Sequence, residues 1–259
     1  MSWGSRMKAL YISGVVIILL LVIGIPVYFK YFNKAPSCYD GVQNQDELGI
    51  DCSGVCALLC PYESRDPIVS FQRLYEANPG VYTALALLEN PNQGVFARKV
   101  SYVFKIYDTE NVLLFEIPGT TFIPPGREFP VFASPILTGN RDAAKETFTI
   151  TDSVIAWEKG VWNEPSIEVA NVTNGVVAGR QRVTADIVNN EVYALRDLEV
   201  IVVVYDRAGN AMQASATVVS YISPEDKANI TFTWTEPFNF EVSKVDIIPR
   251  TLPRDFSTE

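Results

Sequence analysis

The sequence predicts a mainly β protein in three parts: an N-terminal transmembrane helix, a small disulfide-rich module and two tandem β-sandwich domains. Three observations carry that reading. Leu10 to Phe29 is a run of twenty residues without a charge. All four cysteines fall between Cys38 and Cys60. Beyond Asp66 the chain alternates apolar and polar residues in short runs broken by Pro, Gly and Asn, and that texture returns about 99 residues later.

The apolar run comes first. At ~1.5 Å rise per residue it spans ~30 Å, the thickness of a hydrocarbon core. Arg6 and Lys8 precede it, Lys30 and Lys34 follow it, and Tyr28, Tyr31 and Phe32 sit where an interfacial aromatic belt belongs. Pro26 lies in the last turn, where a lost backbone hydrogen bond costs least. A cleaved signal peptide has a shorter apolar core, of about 7–15 residues, and a small-residue cleavage site. Ala35-Pro36-Ser37-Cys38 is also a poor lipoprotein box. The expectation is an uncleaved signal anchor in the plasma membrane: residues 1–9 cytoplasmic, 10–32 in the lipid bilayer, the rest outside.

Charge and composition exclude several classes. The chain holds 21 Lys plus Arg, 30 Asp plus Glu and no His. Without His, Ser-His-Asp and Cys-His catalysis and His-bearing zinc sites are ruled out. Residues 1–34 carry four basic residues and no acid, so the remainder of this −9 chain carries −13. That balance is wrong for nucleic acid, whose phosphates need clustered Lys and Arg.

The cysteine module covers residues 37–62. An even cysteine count in a short, turn-rich stretch after a membrane span favours two disulfides among Cys38, Cys52, Cys56 and Cys60, with three pairings open. So little apolar residue cannot form a core, and covalent bonds must take its place. The zinc alternative, four thiolates, lacks the paired knuckle spacing. The oxygens of Asp40, Asn44, Glu47 and Asp51 are a candidate calcium set, since calcium takes six to eight hard ligands. The competing account has Asp40-Gly41 forming a turn and the acids solvated. The pattern C-x-D-G-x-x-N-x-x-E-x-G-x-D-C, continued by Gly54 and Cys56, resembles short modules of secreted and cell-surface proteins. The resemblance implies export and no catalysis.

Two copies of one domain follow, over residues 66–158 and 163–250, with 251–259 as a tail. Val100–Tyr107 and Leu198–Tyr205 are strand-like, and each runs into Asp, a polar turn and a second apolar strand, a hairpin signal. Ile68 falls on Ile167, Asn90 on Asn189, and Ile123-x-Pro125 on Ile222-x-Pro224. Six or seven strands per copy at 8–12-residue intervals is the rhythm of a β-sandwich. Phe104-Lys105-Ile106-Tyr107-Asp108 resembles the signature of FxLYD domains with Ile for Leu, and the second copy keeps Tyr205-Asp206. The wider pattern resembles LEA14/WHy-type sandwiches. This resemblance implies an immunoglobulin-like fold found in bacterial envelope proteins, and it brings no catalytic residues.

Tyr107, Asp108, Tyr205 and Asp206 read as a packed ring and a turn-forming carboxylate. Trp157, Trp162 and Trp234 read as core or interdomain packing, with a carbohydrate-stacking surface as the alternative. Glu225-Asp226 sits on a turn, with no sign of the opposed placement a glycosidase needs. Asn171-Val-Thr173 and Asn229-Ile-Thr231 are glycosylation sequons. The expectation is a non-enzymatic surface scaffold that binds a protein partner, with glycan or cell-wall adhesion and a transport or secretion accessory role as alternatives. No cofactor beyond the calcium candidate is implied.

Overall fold

A computed structural model describes residues 3–31, 36–139 and 141–253. The chain divides into two compact units, Met1–Cys56 and Ala57–Glu259. Phe32, Lys34 and the tail beyond Pro253 lie outside the described residues.

The first unit opens with helix α1 (Trp3–Tyr31). Its stretch Leu10–Tyr28 is apolar on every side and long enough to cross a membrane. The Leu, Ile and Val side chains there are exposed. A helix apolar all round has no polar face to give to water. After it come the turns of the cysteine module, joined by the Gly49–Cys52 bridge.

The second unit is antiparallel β throughout. Its strands are β1 (Ile68–Asn78), β2 (Val81–Glu89), β3 (Val95–Tyr107), β4 (Leu113–Ile123), β5 (Glu128–Leu137), β6 (Lys145–Ile150) and β7 (Glu158–Lys159). They continue as β8 (Ile167–Val177), β9 (Arg180–Asn189), β10 (Leu195–Tyr205), β11 (Ala211–Ile222), β12 (Lys227–Trp234) and β13 (Lys244–Arg250). Apart from β7, the first six strands match the last six one for one, in order and in pairing. Sheets β1-β2-β5 and β4-β3-β6 in the first repeat become β8-β9-β12 and β11-β10-β13 in the second. Short β7 pairs with the start of β3.

The sheets stack in four layers, because β2 and β10 are apolar on both faces. Tyr82, Ala84, Ala86 and Leu88 of β2 enter the core of the first repeat with Phe104, Ile106, Val131 and Trp157. Leu198, Val200, Val202 and Val204 of β10 enter the core of the second with Val183, Ile187 and Phe232. The intervening residues, Leu85 and Leu87 of β2 and Ile201, Val203 and Tyr205 of β10, meet in a third core with Tyr75, Phe132, Ala211 and Ala214. Successive strand residues point to opposite faces, so one strand serves two cores. Sheet β1-β2-β5 thus packs on β11-β10-β13, and the repeats form one body rather than two tethered ones.

Candidate functional site

In the cysteine module the acidic residues hold turns. Asp51 Oδ1 and Oδ2 accept from the N–H groups of Asp40 (3.0 Å) and Gly41 (2.8 Å). Asp40 accepts from Ser37 N, Val42 N and Asn44 Nδ2. Glu47, buried, accepts at Oε2 from Asn44 N and Asp51 N, and its Oε1 lies 3.1 Å from the Cys56 sulfur. The structure therefore brings Asp40, Asn44, Glu47 and Asp51 together, with their carboxylates engaged by the module's own donors. Cys38 pairs with Cys56. Cys52 and Cys60 are also disulfide-bonded, so no free thiol is present. The zinc alternative fails, because a disulfide sulfur is no thiolate. Gly54 shows why this module needs glycine: at φ +59° a Cβ would stand 2.1 Å from the Asp46 carbonyl oxygen.

In the second unit the repeated residues prove to be repeated joints. Asp108 Oδ1 accepts from Glu110 N and Val112 N, both at 2.9 Å. Asp206 does the same with Ala208 N and Asn210 N. Asn90 is buried, and its Nδ2 donates to the carbonyls of Val95 (2.7 Å) and Pro124 (2.8 Å) while Oδ1 accepts from Asn92 N. Asn189 repeats this with Tyr193 O, Ser223 O and Glu191 N. Each Asn fastens the loop after β2 or β9 to the loop after β4 or β11.

The inter-repeat seam is closed by polar latches. Arg250 on β13 is buried, and its Nη2 donates to Thr121 Oγ1 (2.9 Å) and to Phe122 O (3.3 Å), while Nη1 faces Glu199 Oε2 at 3.4 Å. Its guanidinium lies 4.6 Å from the Phe122 ring centroid. Beside it, Arg127 pairs with Glu164, and both line a groove of about 350 Å³. Tyr75 donates through its hydroxyl to Ala211 O at 3.0 Å. Burial pushes the Tyr75 hydroxyl well above its ordinary pKa and pushes Tyr205 up to about 12.

The two outer faces of the stack are polar where their counterparts inside are apolar. Leu85, Leu87 and Phe132 correspond across the repeat to Thr184, Asp186 and Thr231. Asp186 accepts from Asn171, Asn229 and Lys227. Hydrogen bonds from Asn229, Lys227 and Asn171 hold its carboxyl well below the usual carboxylate range. On the opposite face, Val203, Ala214 and Ile248 correspond to Lys105, Glu116 and Thr149, with Lys105 and Glu116 paired at 2.8 Å.

The three tryptophans are not brought together. Trp157 is in the first core. Trp162, on the connection between repeats, packs between Phe96 (4.8 Å between centroids) and Phe122 (5.9 Å). Trp234 stands edge-on to Phe238, which stacks on Phe240 at 4.9 Å. That trio lines a groove of about 490 Å³ with Glu76, Gln213 and Asn239. The reading from sequence named Trp234 but missed Phe238 and Phe240; Phe-Asn-Phe after a Pro, in a long loop, is the signal that marks them. Glu225 and Asp226 lie on the turn before β12.

No protein-family model and no curated protein matches the chain. Among solved structures, the chain is similar to red sea bream transglutaminase at 9% identity and a TM-score of 0.21. The similarity covers 71% of this chain and 31% of that one, and it is too distant to inform fold or activity.

Proposed function

We propose that this protein is a membrane-anchored, extracytoplasmic scaffold that binds other proteins and carries out no catalysis. Helix α1 is the anchor, with the N-terminus cytoplasmic, and the disulfide-bonded module is the stalk on the outer side. The two repeats are of the FxLYD or LEA14/WHy type, immunoglobulin-like sandwiches of the cell envelope. The observation that carries the reading is the shared third core, which makes the repeats one rigid body. Rigid sheets position loops and edges for contact, which a binding protein needs. Three buried charged side chains serve this framework: Glu47 holds turns, Asp186 anchors an amide cluster and Arg250 latches the seam. A role as accessory subunit of a transport or secretion assembly is one form of the same activity.

Photo-crosslinking of the full chain in its native membranes, followed by mass spectrometry, tests the proposal. At least one other envelope protein is expected to be captured reproducibly; recovery of none, with the chain folded and abundant, refutes it.

A second reading, glycan binding, is favoured by the groove of Trp234, Phe238 and Phe240, where apolar rings adjoin acid and amide side chains as a sugar face requires. Glycan-array binding lost in Trp234→Ala supports it, and no binding by the folded wild type removes it.

A further inference from the structure

We propose that β11 pairs edge to edge with β11 of a second copy of this chain, continuing the β11-β10-β13 sheet across a two-fold axis at Val218. This deepens the scaffold reading and rests on it for holding the copies in one membrane.

The edges of the four sheets are blunted in different ways. Prolines interrupt β4 (Pro118), β5 (Pro130, Pro135) and β13 (Pro249). Strand β6 has six residues, β8 is bulged between Ala170 and Thr173, β1 carries Arg73 and Glu76, and β12 starts with Lys227. Strand β11 has twelve residues, Ala211–Ile222, without proline or charge. Its register with β10 keeps one alignment from Leu195↔Ile222 to Val204↔Gln213, the pair opposite Ser220 alone being absent where Asp197 takes φ +48°. Long, straight, uncharged edges are templates for another strand.

The direction of the backbone follows from the prolines. In an antiparallel ladder, residue pairs alternate between those that exchange two hydrogen bonds and those that exchange none. Pro249 lies opposite Val200 and has no N–H, so Val200 bonds on its other side, to Thr217. Ala216, Val218 and Ser220 then turn their N–H and C=O groups away from β10. The first repeat agrees independently. There Pro118 lies opposite Val103 and occupies the position of Ala216. The first repeat therefore removes the outward donor that the second leaves in place.

The open stretch is limited and specific. Ala211 and Ala214 are buried against the first repeat. Past that margin Val218 is 59% exposed and Tyr221 49%, with the Arg196 guanidinium 4.9 Å from the Tyr221 ring centroid. Only an extended backbone satisfies the alternating donors and acceptors, and a second copy set antiparallel offers a strand equally free of charge and proline. Set antiparallel about Val218, Ala216 meets Ser220 of the other copy, and about six backbone hydrogen bonds form. The exposed valines then cover each other, and no like charges are opposed. The chain's net −9 resists this little, because charges beyond about 8 Å are screened at physiological salt.

The test uses the full chain in detergent micelles and in its native membrane. Light scattering is expected to give a dimer for the wild type and a monomer for Ala216→Pro, a substitution the first repeat already accepts at Pro118. Val218→Lys, at an exposed position, sets like charges on the axis and is also expected to be monomeric, with unchanged circular dichroism. Val218→Cys is expected to crosslink between copies on mild oxidation. A monomeric wild type, or a dimer that survives both Ala216→Pro and Val218→Lys, overturns the proposal. Loss of a foreign protein in Ala216→Pro from a monomeric wild type assigns the edge to that protein and likewise overturns it. The scaffold reading fails separately, by capture of no other protein.

Discussion

At the scale of residues, the repeated side chains with the fewest alternatives are the buried amides. Truncating Asn90 or Asn189 leaves two backbone carbonyls without their donor in each case, a loss of about 1–3 kcal/mol for each unsatisfied group. Asn90→Ala and Asn189→Ala are each expected to lower the urea midpoint, with the slope unchanged. Both were visible in the sequence as a repeated Asn, but their role was not, because it depends on carbonyls 34 residues away in the chain. Asp186 contributes in the opposite pH direction from the buried tyrosines. Its folded pKa is depressed by Asn229, Lys227 and Asn171, so its stabilisation is complete above the unfolded value of about 3.9 and fades as pH falls toward the folded one. Asp186→Asn is expected to flatten the acid limb of the stability profile. Tyr75 and Tyr205 have raised pKa values, so their stabilisation is complete below about pH 10 and fades above it. Tyr75→Phe is expected to flatten the alkaline limb, measured by thermal melts from pH 8 to 11.

At the scale of elements, the strands show what pattern reading captures and what escapes it. The Tyr-Asp hairpins were legible because an Asp bonding the N–H groups two and four residues on is a local event. The third core was not recognised, although Val200-Ile-Val-Val-Val204 announces it: a strand buried on one face alternates, and one buried on both does not. The polar outer faces are legible only in the correspondence of the repeats, which sets Asp186 at the position of Leu87 and Lys105 at that of Val203. Ile201→Ala is expected to cost about 2–5 kcal/mol, as a large-to-small change in a core. Val203→Lys gives the second repeat the residue of the first at that position. It is expected to part the repeats and open the connection at residues 160–165 to limited proteolysis, with strand content by circular dichroism retained. In the cysteine module, residue types were legible, whereas the pairing of Cys38 with Cys56 depends on how the turns close. Calcium titration is expected to leave the module's stability unchanged, since its carboxylates already accept from Asp40, Gly41, Val42 and Asn44.

At the scale of the whole molecule, one chain holds an apolar helix, a disulfide-bonded module and a pair of sandwiches that share a third core. The outer faces carry Asp186 and Lys105 where the inner ones carry Leu87 and Val203, so an apolar surface packed on them would bury charge. The proposed role requires the module and repeats to lie outside the membrane, since disulfides persist in an oxidising compartment. The most direct measurement is thiol labelling of intact cells after mild reduction, using a maleimide that does not cross membranes. Labelling at Cys38, Cys52, Cys56 and Cys60 without permeabilisation is the predicted result. Labelling only after the membrane is opened would contradict the account.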